Sequence, residues 1–561
     1  MSGQPQFDLR TEPWIPARFP AGEIRDLSLR EVFAQAHEIR DLVGEVPTQV
    51  FAITRLLLAI LHRALPETVR PAEEWGVLWT ADTLPVEWIH SYLSDEDWGD
   101  RFDLLHPVKP FYQVASLSTS KGETSGLERL IADVPNGEQF FTTRRESGVE
   151  SLSFAEAARW LVHAHAYDPS GIKSGATDDA RVKGGKGYPI GTGWVGELGG
   201  ILIEGGSLRE TLLLNLVLGS SAHEPFVDND LPLWERAPQT GAVESGESGE
   251  VRMPTGQVDL FTWQSRRIRL VNNGDRVTSV LITNGDKLRP QNMHDVEPMT
   301  AWRRSAAQEK SLGEPLVYMP RTHDPERSLW RGLAALIPRQ AREVMTAGGA
   351  ATLPPGNLNW LSTVRNRGAL SVDYPIRTHA YGISYGTQSS TVEQIIDDAL
   401  AMHLILLAEE GTALVVAAED MVMVADQSVY ALAQLAGNLE IAAGGQPDGA
   451  RNRARERAYF ELDPVFRPWL AGLTSSSVID ASKGNWMSSV RRIIGDLGNQ
   501  LIDAAPPAAW IGRDRAVLRS VVHFSTSEAS EWFRRALRKA LALWFPDAKA
   551  SGTESPREEA S

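Results

Sequence analysis

The chain has 561 residues, 42% of them hydrophobic and 23% charged, which is ordinary for folded domains and too long for a single core. It contains no cysteine, which excludes disulfides, thiolate-ligated metals and thiol catalysis and fits a cytoplasmic protein, and no apolar run is long enough to predict a membrane span. The net charge of −16 argues against a generic polyanion binder, yet residues 451–549 carry 16 Lys and Arg against 10 Asp and Glu, so the C-terminal part is basic within an acidic chain.

In chain order, residues 7–30 read as a short strand unit kept out of helix by Pro13 and Pro16. Ser28 with Glu31, and later Ser153 with Glu156, have the spacing of capping boxes and predict helix starts. The segment from Thr48 to Ala64 is apolar on most sides and predicts a buried helix. Trp75, Trp79, Trp88, Trp98 and Phe102 read as core aromatics. His106 to Gln113 is extended because of its two prolines. Residues 136–148 have the composition of an exposed loop, with Arg144 and Arg145 following Phe140 and Phe141.

Residues 168–206 are rich in glycine. They miss the P-loop pattern, because Gly187 follows Gly185-Lys186 where a Ser or Thr is required. Such a loop is either a surface connection or a close approach to a nucleic-acid backbone through unobstructed amides. Leu208 to Leu218 predicts a helix, residues 237–256 a mobile linker, and Val258 to Leu270 a strand. Asn272 to Asp275 is a hairpin-turn signal before a strand at Val277–Thr283. A short helix is expected near Leu329–Leu336, a strand pair near 369–384, and a returning strand from Ile395 to Leu407. Between them lies Tyr381 to Ser390, a polar turn whose Gly382 and Gly386 are expected to supply unusual backbone conformations. It is either a plain surface hairpin or a tip able to read a base edge with Thr387 and Gln388.

From Gly411 the pattern is helical to the end, with helices expected at 411–443, 449–472, 484–504 and 526–545. The expected fold is therefore α+β: a large mixed α/β domain over residues 1–408, a four-helix bundle over 409–549, and a disordered tail over 550–561. No catalytic constellation is legible. His163 and His165 are two apart and point to different faces of a helix, and no nucleophile elbow or metalloprotease motif exists. A metal-dependent nuclease or nucleotide hydrolase would need a site assembled from scattered carboxylates.

Several stretches, in this order, resemble the large subunit of the type I-E Cascade CRISPR surveillance complex, the CasA family. They are Trp14-Ile-Pro16, His106-Pro with Phe111-Tyr-Gln113, the loop after Phe140-Phe141, and the lysine–glycine stretch 171–187. Leu260 to Ile268 and the turn Gly386–Ser389 before a helical C-terminus complete the set, and the similarity runs over residues 7–545. The resemblance implies a non-catalytic, cofactor-free DNA-recognition subunit. It would read the protospacer-adjacent motif (PAM) of double-stranded target DNA from the minor groove and start R-loop formation. Gln388 falls on the family's wedge glutamine, flanked by Thr387 and Ser389 where Asn and Ala are the family's familiar choices. The glycine loop maps to Ser170, Gly171, Lys173, Ser174 and Gly175. The basic finger maps to Lys310 or, second, Arg304. Phe141, Thr142, Arg144 and Arg145 match a segment that docks on the guide RNA 5′ handle. The helical bundle, with Arg451, Arg453, Lys483, Arg491 and Arg492, is implied to track displaced DNA and to help recruit the helicase–nuclease effector beside the other Cascade subunits. The cysteine-rich knuckle of some relatives has no counterpart here.

Overall fold

An arginine is buried in the middle of a helix enclosed on nearly every side, and its partner explains how the first part of the chain is assembled. The helix Pro47–Ala64 begins with proline at its first turn, where the missing N–H costs nothing. It is buried nearly all round. Arg55 lies inside it and donates two hydrogen bonds to Glu297, at 2.8 and 2.7 Å, from 242 residues away. Glu297 also accepts from the Trp194 indole at 2.9 Å, so a fully buried carboxylate has all its partners.

The computed structural model describes residues 6–66, 74–134, 147–219, 229–244, 252–337, 350–517 and 520–542. The chain divides into two compact units, Met1–Glu409 and Glu410–Ser561. In the first, both capping boxes form: Ser28 and Glu31 start the helix Leu29–Ala34, and Ser153 and Glu156 start Phe154–Tyr167. The sheet that matters for the site is antiparallel, with Pro375–Tyr385 between Val392–His403 and Gly200–Glu204. It packs on the buried helix, where the Phe51 and Tyr381 rings lie 5.5 Å apart. A second hairpin pairs Arg266–Asn272 with Val277–Asn284, and Gly274 supplies the positive φ of 104° that its turn requires.

Several expectations are corrected. Residues 369–384 hold one long strand rather than a pair, and its partner is the returning strand, which stops at His403 before a 3₁₀ turn at Leu404–Leu407. The stretch expected as a strand from Val258 begins instead as a short helix, Gln257–Phe261, because the Asp230 carboxylate accepts from the Val258 and Asp259 amides and caps it. The flanks of the 237–256 stretch are pinned rather than loose: Arg267 donates to the carbonyls of Thr240 and Ala242, and Arg252 pairs with Asp259. Trp88 is 41% exposed and stands outside the aromatic core that holds Trp75 and Phe102.

The second unit contains the helices Thr412–Ala443, Pro447–Ala471, Ile479–Asp503 and Thr526–Ala542. Trp486 is buried against Phe466 and Trp469 and donates to the Met421 carbonyl. The chain is not helical throughout. A short helix, Pro507–Ile511, and an antiparallel hairpin, Arg513–Val517 with Ser520–Phe524, intervene before the last helix. Arg513 docks this hairpin by donating to the carbonyls of Ala442 and Ala443, where the first long helix ends at left-handed Gly444. The segment 543–545 and the tail 550–561 lie outside the described residues. Among the described residues, no helix is long and apolar enough to cross a membrane.

Candidate nucleic-acid interface

The hairpin of the central sheet carries the polar turn at its tip. The Gly386 amide donates to the Thr391 carbonyl at 3.0 Å, and the Ser389 amide closes back on Gly386 at 2.8 Å. The glycines do not provide the unusual backbone. Gly386 is extended at φ −71°, whereas Gln388 (φ 57°) and Ser389 (φ 54°) are left-handed. Each non-glycine residue held there costs on the order of 1–3 kcal/mol. A Cβ at Gly386 would meet Glu393 Oε1 at 2.6 Å and Thr391 Oγ1 at 2.7 Å, both ends of side chains that can swing aside, so neither φ nor space demands glycine there. Thr387 and Gln388 are exposed. The Gln388 amide makes no side-chain hydrogen bond among the described residues, so it is free to find one elsewhere.

The glycine loop is fastened to this turn. The Ser170 amide donates to the Ser389 carbonyl at 2.8 Å, and the Tyr385 hydroxyl donates to the Tyr167 carbonyl at 2.7 Å. Gly171 has φ 140° and nothing within 4 Å of where a Cβ would stand, so its backbone is open to a ligand. Ser174 is exposed, but Gly175 is buried and is glycine for packing, because a Cβ would lie 2.4 Å from Val182 Cγ1. Between loop and turn lies a groove of about 730 Å³ lined by Arg129, Ser170, Gly171, Lys173, Thr387 and Glu393 among others.

Lys173 does not reach into solvent as a residue gripping a phosphate backbone would. Its ammonium lies 2.6 Å from the Asp168 carboxylate, and its side chain is 14% exposed. Arg266, fully buried, donates to the same carboxylate and to the carbonyls of Asp168, Pro169 and Gly191. Burial alone would raise the Asp168 pKa, but the two cations outweigh it and hold the carboxyl below its ordinary value. Burial pulls the Lys173 pKa down, opposed by Asp168.

The basic residues separate into two groups. Arg304 is tied to Glu309 at 2.6 Å and secures the short helix Ala306–Leu312, whereas Lys310 on that helix is exposed with no ion pair among the described residues. In the second unit, Lys483 is engaged with Asp420 at 3.1 Å and Arg451 with Asp448 at 3.3 Å, while Arg453, Arg491 and Arg492 are exposed. Phe141, Thr142, Arg144 and Arg145 lie outside the described residues. Arg129 was not foreseen. It is one charge in an ordinary Gly126-Leu-Glu-Arg run, and only the fold brings it to the groove.

Nothing supports the scattered-carboxylate alternative: among the described residues, no group of three or more His, Asp or Glu is arranged to hold a metal ion. His163 bonds to the Thr48 hydroxyl and His165 to the Tyr112 carbonyl, and burial lowers the pKa of each to about 3. His379 is isolated in sequence but bracketed in space by Glu204, at 2.6 Å, and Asp397.

A family model described as CRISPR-associated protein Cse1 matches residues 8–497. The chain is 30% identical over 423 residues to a Thermus thermophilus protein, CRISPR-associated protein CasA/Cse1, covering 72% of this chain and 76% of that one. Its fold matches the crystal structure of Thermobifida fusca Cse1 with a TM-score of 0.87 at 49% identity, over 96% of this chain and 98% of that one. It also matches Cse1 from Acidimicrobium ferrooxidans with a TM-score of 0.79 at 28% identity, over 97% of this chain and 100% of that one. The chain belongs to the CRISPR-associated Cse1 family, also called CasA, the large subunit of the type I-E Cascade surveillance complex.

Proposed function

We propose that this subunit is non-catalytic and recognises the PAM of duplex DNA from the minor groove, with Gln388 as a wedge that parts the adjoining base pair and starts the R-loop. The observation that carries this reading is the Ser170–Ser389 hydrogen bond, which joins a strained, exposed, uncharged tip to a loop whose backbone is bare at Gly171. Uncharged donors and acceptors suit base edges, and the minor groove offers mainly an A·T-versus-G·C distinction, so the choice of motif is relaxed. Unstacking one step costs a few kcal/mol, which an inserted side chain and neighbouring backbone contacts offset.

Thr387 and Ser389 flank the wedge, and Ser170, Gly171 and Ser174 offer backbone and hydroxyl contacts to the strand beside it. Lys310 serves as the basic finger, and Arg304 supports it through Glu309. Phe141, Thr142, Arg144 and Arg145 dock on the guide RNA 5′ handle. Arg453, Arg491 and Arg492 meet DNA phosphates, and the helical unit assists recruitment of the helicase–nuclease effector. A photoreactive amino acid at position 388, in complex assembled with guide RNA, tests the reading. It is expected to crosslink to nucleotides flanking the PAM and not to a duplex lacking one. Crosslinks of equal yield on both duplexes would refute it.

A further inference from the structure

The proposed DNA-reading surface consists of two chain segments far apart in sequence, and what holds them in register is itself buried. Three side chains converge beneath the glycine loop. Asp168 ends the helix Phe154–Tyr167 as its C-cap. Its carboxylate receives Lys173 from one side and Arg266 from the other. The Arg266 guanidinium then uses a single nitrogen to gather the carbonyls of Asp168 and Pro169 at the start of the glycine-rich stretch and of Gly191 within it. A planar fork with several fixed donors holds a loop in a way a lysine in its place would not. The loop so held presents the Ser170 amide to Ser389 at the wedge turn.

We infer that Asp168, Arg266 and Lys173 are positioning residues for DNA recognition, fixing the Ser170–Gly175 loop to the Gln388 turn so that the two meet a duplex as one preformed surface. None of the three needs to touch DNA. A preformed surface loses less freedom on binding, so the expected effect falls on motif-dependent affinity rather than on assembly. The inference rests on the wedge reading, and its test separates the two.

In complex reconstituted with guide RNA, PAM-bearing and PAM-free duplexes are titrated against Asp168→Asn, Gln388→Ala and the double variant. Asp168→Asn is expected to reduce the preference for PAM-bearing DNA by about 5–150-fold, the range of ordinary site-to-site coupling. Assembly and PAM-free binding are expected to stay unchanged, and the double variant to be scarcely weaker than the worse single one. Because Asp168→Asn leaves two buried cations without their counter-ion, Lys173→Met provides a variant that keeps the Asp168–Arg266 pair. It is expected to show a smaller loss of preference together with faster hydrogen exchange at the Ser170 amide. Arg266→Lys, which keeps the charge but not the fork, is expected to behave like Asp168→Asn. Unchanged preference in folded Asp168→Asn and Lys173→Met beside a lost preference in Gln388→Ala would overturn the positioning role alone, as would losses that add in free energy. Unchanged preference in Gln388→Ala would overturn the wedge reading and the inference with it.

Discussion

The most deeply buried arginines of the first unit and the exposed arginines of the second do opposite work. In the first, the most deeply placed arginines turn inward: Arg55, Arg266 and Arg267 are each at most 1% exposed and each is paired with a carboxylate. In the second, Arg453, Arg491 and Arg492 project into solvent from amphipathic helices. A buried arginine fixes geometry, at a desolvation cost that only complete pairing offsets. An exposed one supplies long-range, salt-screened attraction. On the proposed reading, the first unit serves shape and hydrogen-bond recognition, and the exposed arginines of the second serve sequence-independent contact with phosphate. The overall charge of −16 conceals this division.

The contrast can be broken most severely from inside. Glu297→Ala removes the acceptor of Arg55 and of the Trp194 indole and is expected to cost about 3–5 kcal/mol of stability in denaturant unfolding. A loss below about 1 kcal/mol would mean that the buried pair is not what holds this unit together.

pH comes next. His163 and His165 are neutral when folded, with pKa values lowered to about 3, while an unfolded histidine protonates near pH ~6.5. The unfolded state therefore binds more protons between these values, and stability falls as pH drops through that window. His379 has the opposite sign. Burial alone would lower its pKa, but Glu204 and Asp397 outweigh burial and raise it. Its contribution is complete below about 6.5 and is lost as pH rises through the folded value. Thermal unfolding is expected to show both arms, with the alkaline arm removed by His379→Gln. An alkaline arm that survives this change would contradict the assignment.

Lys483→Met opens a partly buried pair with Asp420 and is expected to cost roughly 1 kcal/mol while leaving the salt dependence of DNA binding unaltered. Arg491→Gln with Arg492→Gln is expected to show the reverse. Stability should stay within about 0.5 kcal/mol. The slope of log affinity against log salt should flatten by about 0.7 for each displaced-strand phosphate that is no longer neutralised. Equal slopes for the two variants would erase the distinction between inward and outward cations.

What was legible in the sequence was whatever local spacing encodes. The capping boxes at Ser28 and Ser153 and the Asn272–Asp275 turn form as read, and the all-round apolar helix read from Thr48 forms one residue earlier, from Pro47. What failed depended on distant partners. The helix start at Gln257 is set by Asp230, and the hairpin Arg513–Phe524 is docked on carbonyls at Ala442 and Ala443, 70 or more residues away. The geometry of the candidate site was legible in part. Gln388 is exposed at the tip of its turn, but the strain lies on Gln388 and Ser389 rather than on the glycines, since side-chain type alone does not reveal φ. Lys173 looks like a surface lysine in a glycine loop, and only the fold shows Asp168 and Arg266 claiming it.

The most direct measurement compares two duplexes bound by complex carrying Gln388→Ala, one fully paired and one with the base pair next to the PAM already mismatched. If Gln388 is a wedge, affinity for the paired duplex falls at least about tenfold, or ~1.4 kcal/mol, and the mismatched duplex recovers most of it. An equal loss on both duplexes, or none on either, would contradict the wedge.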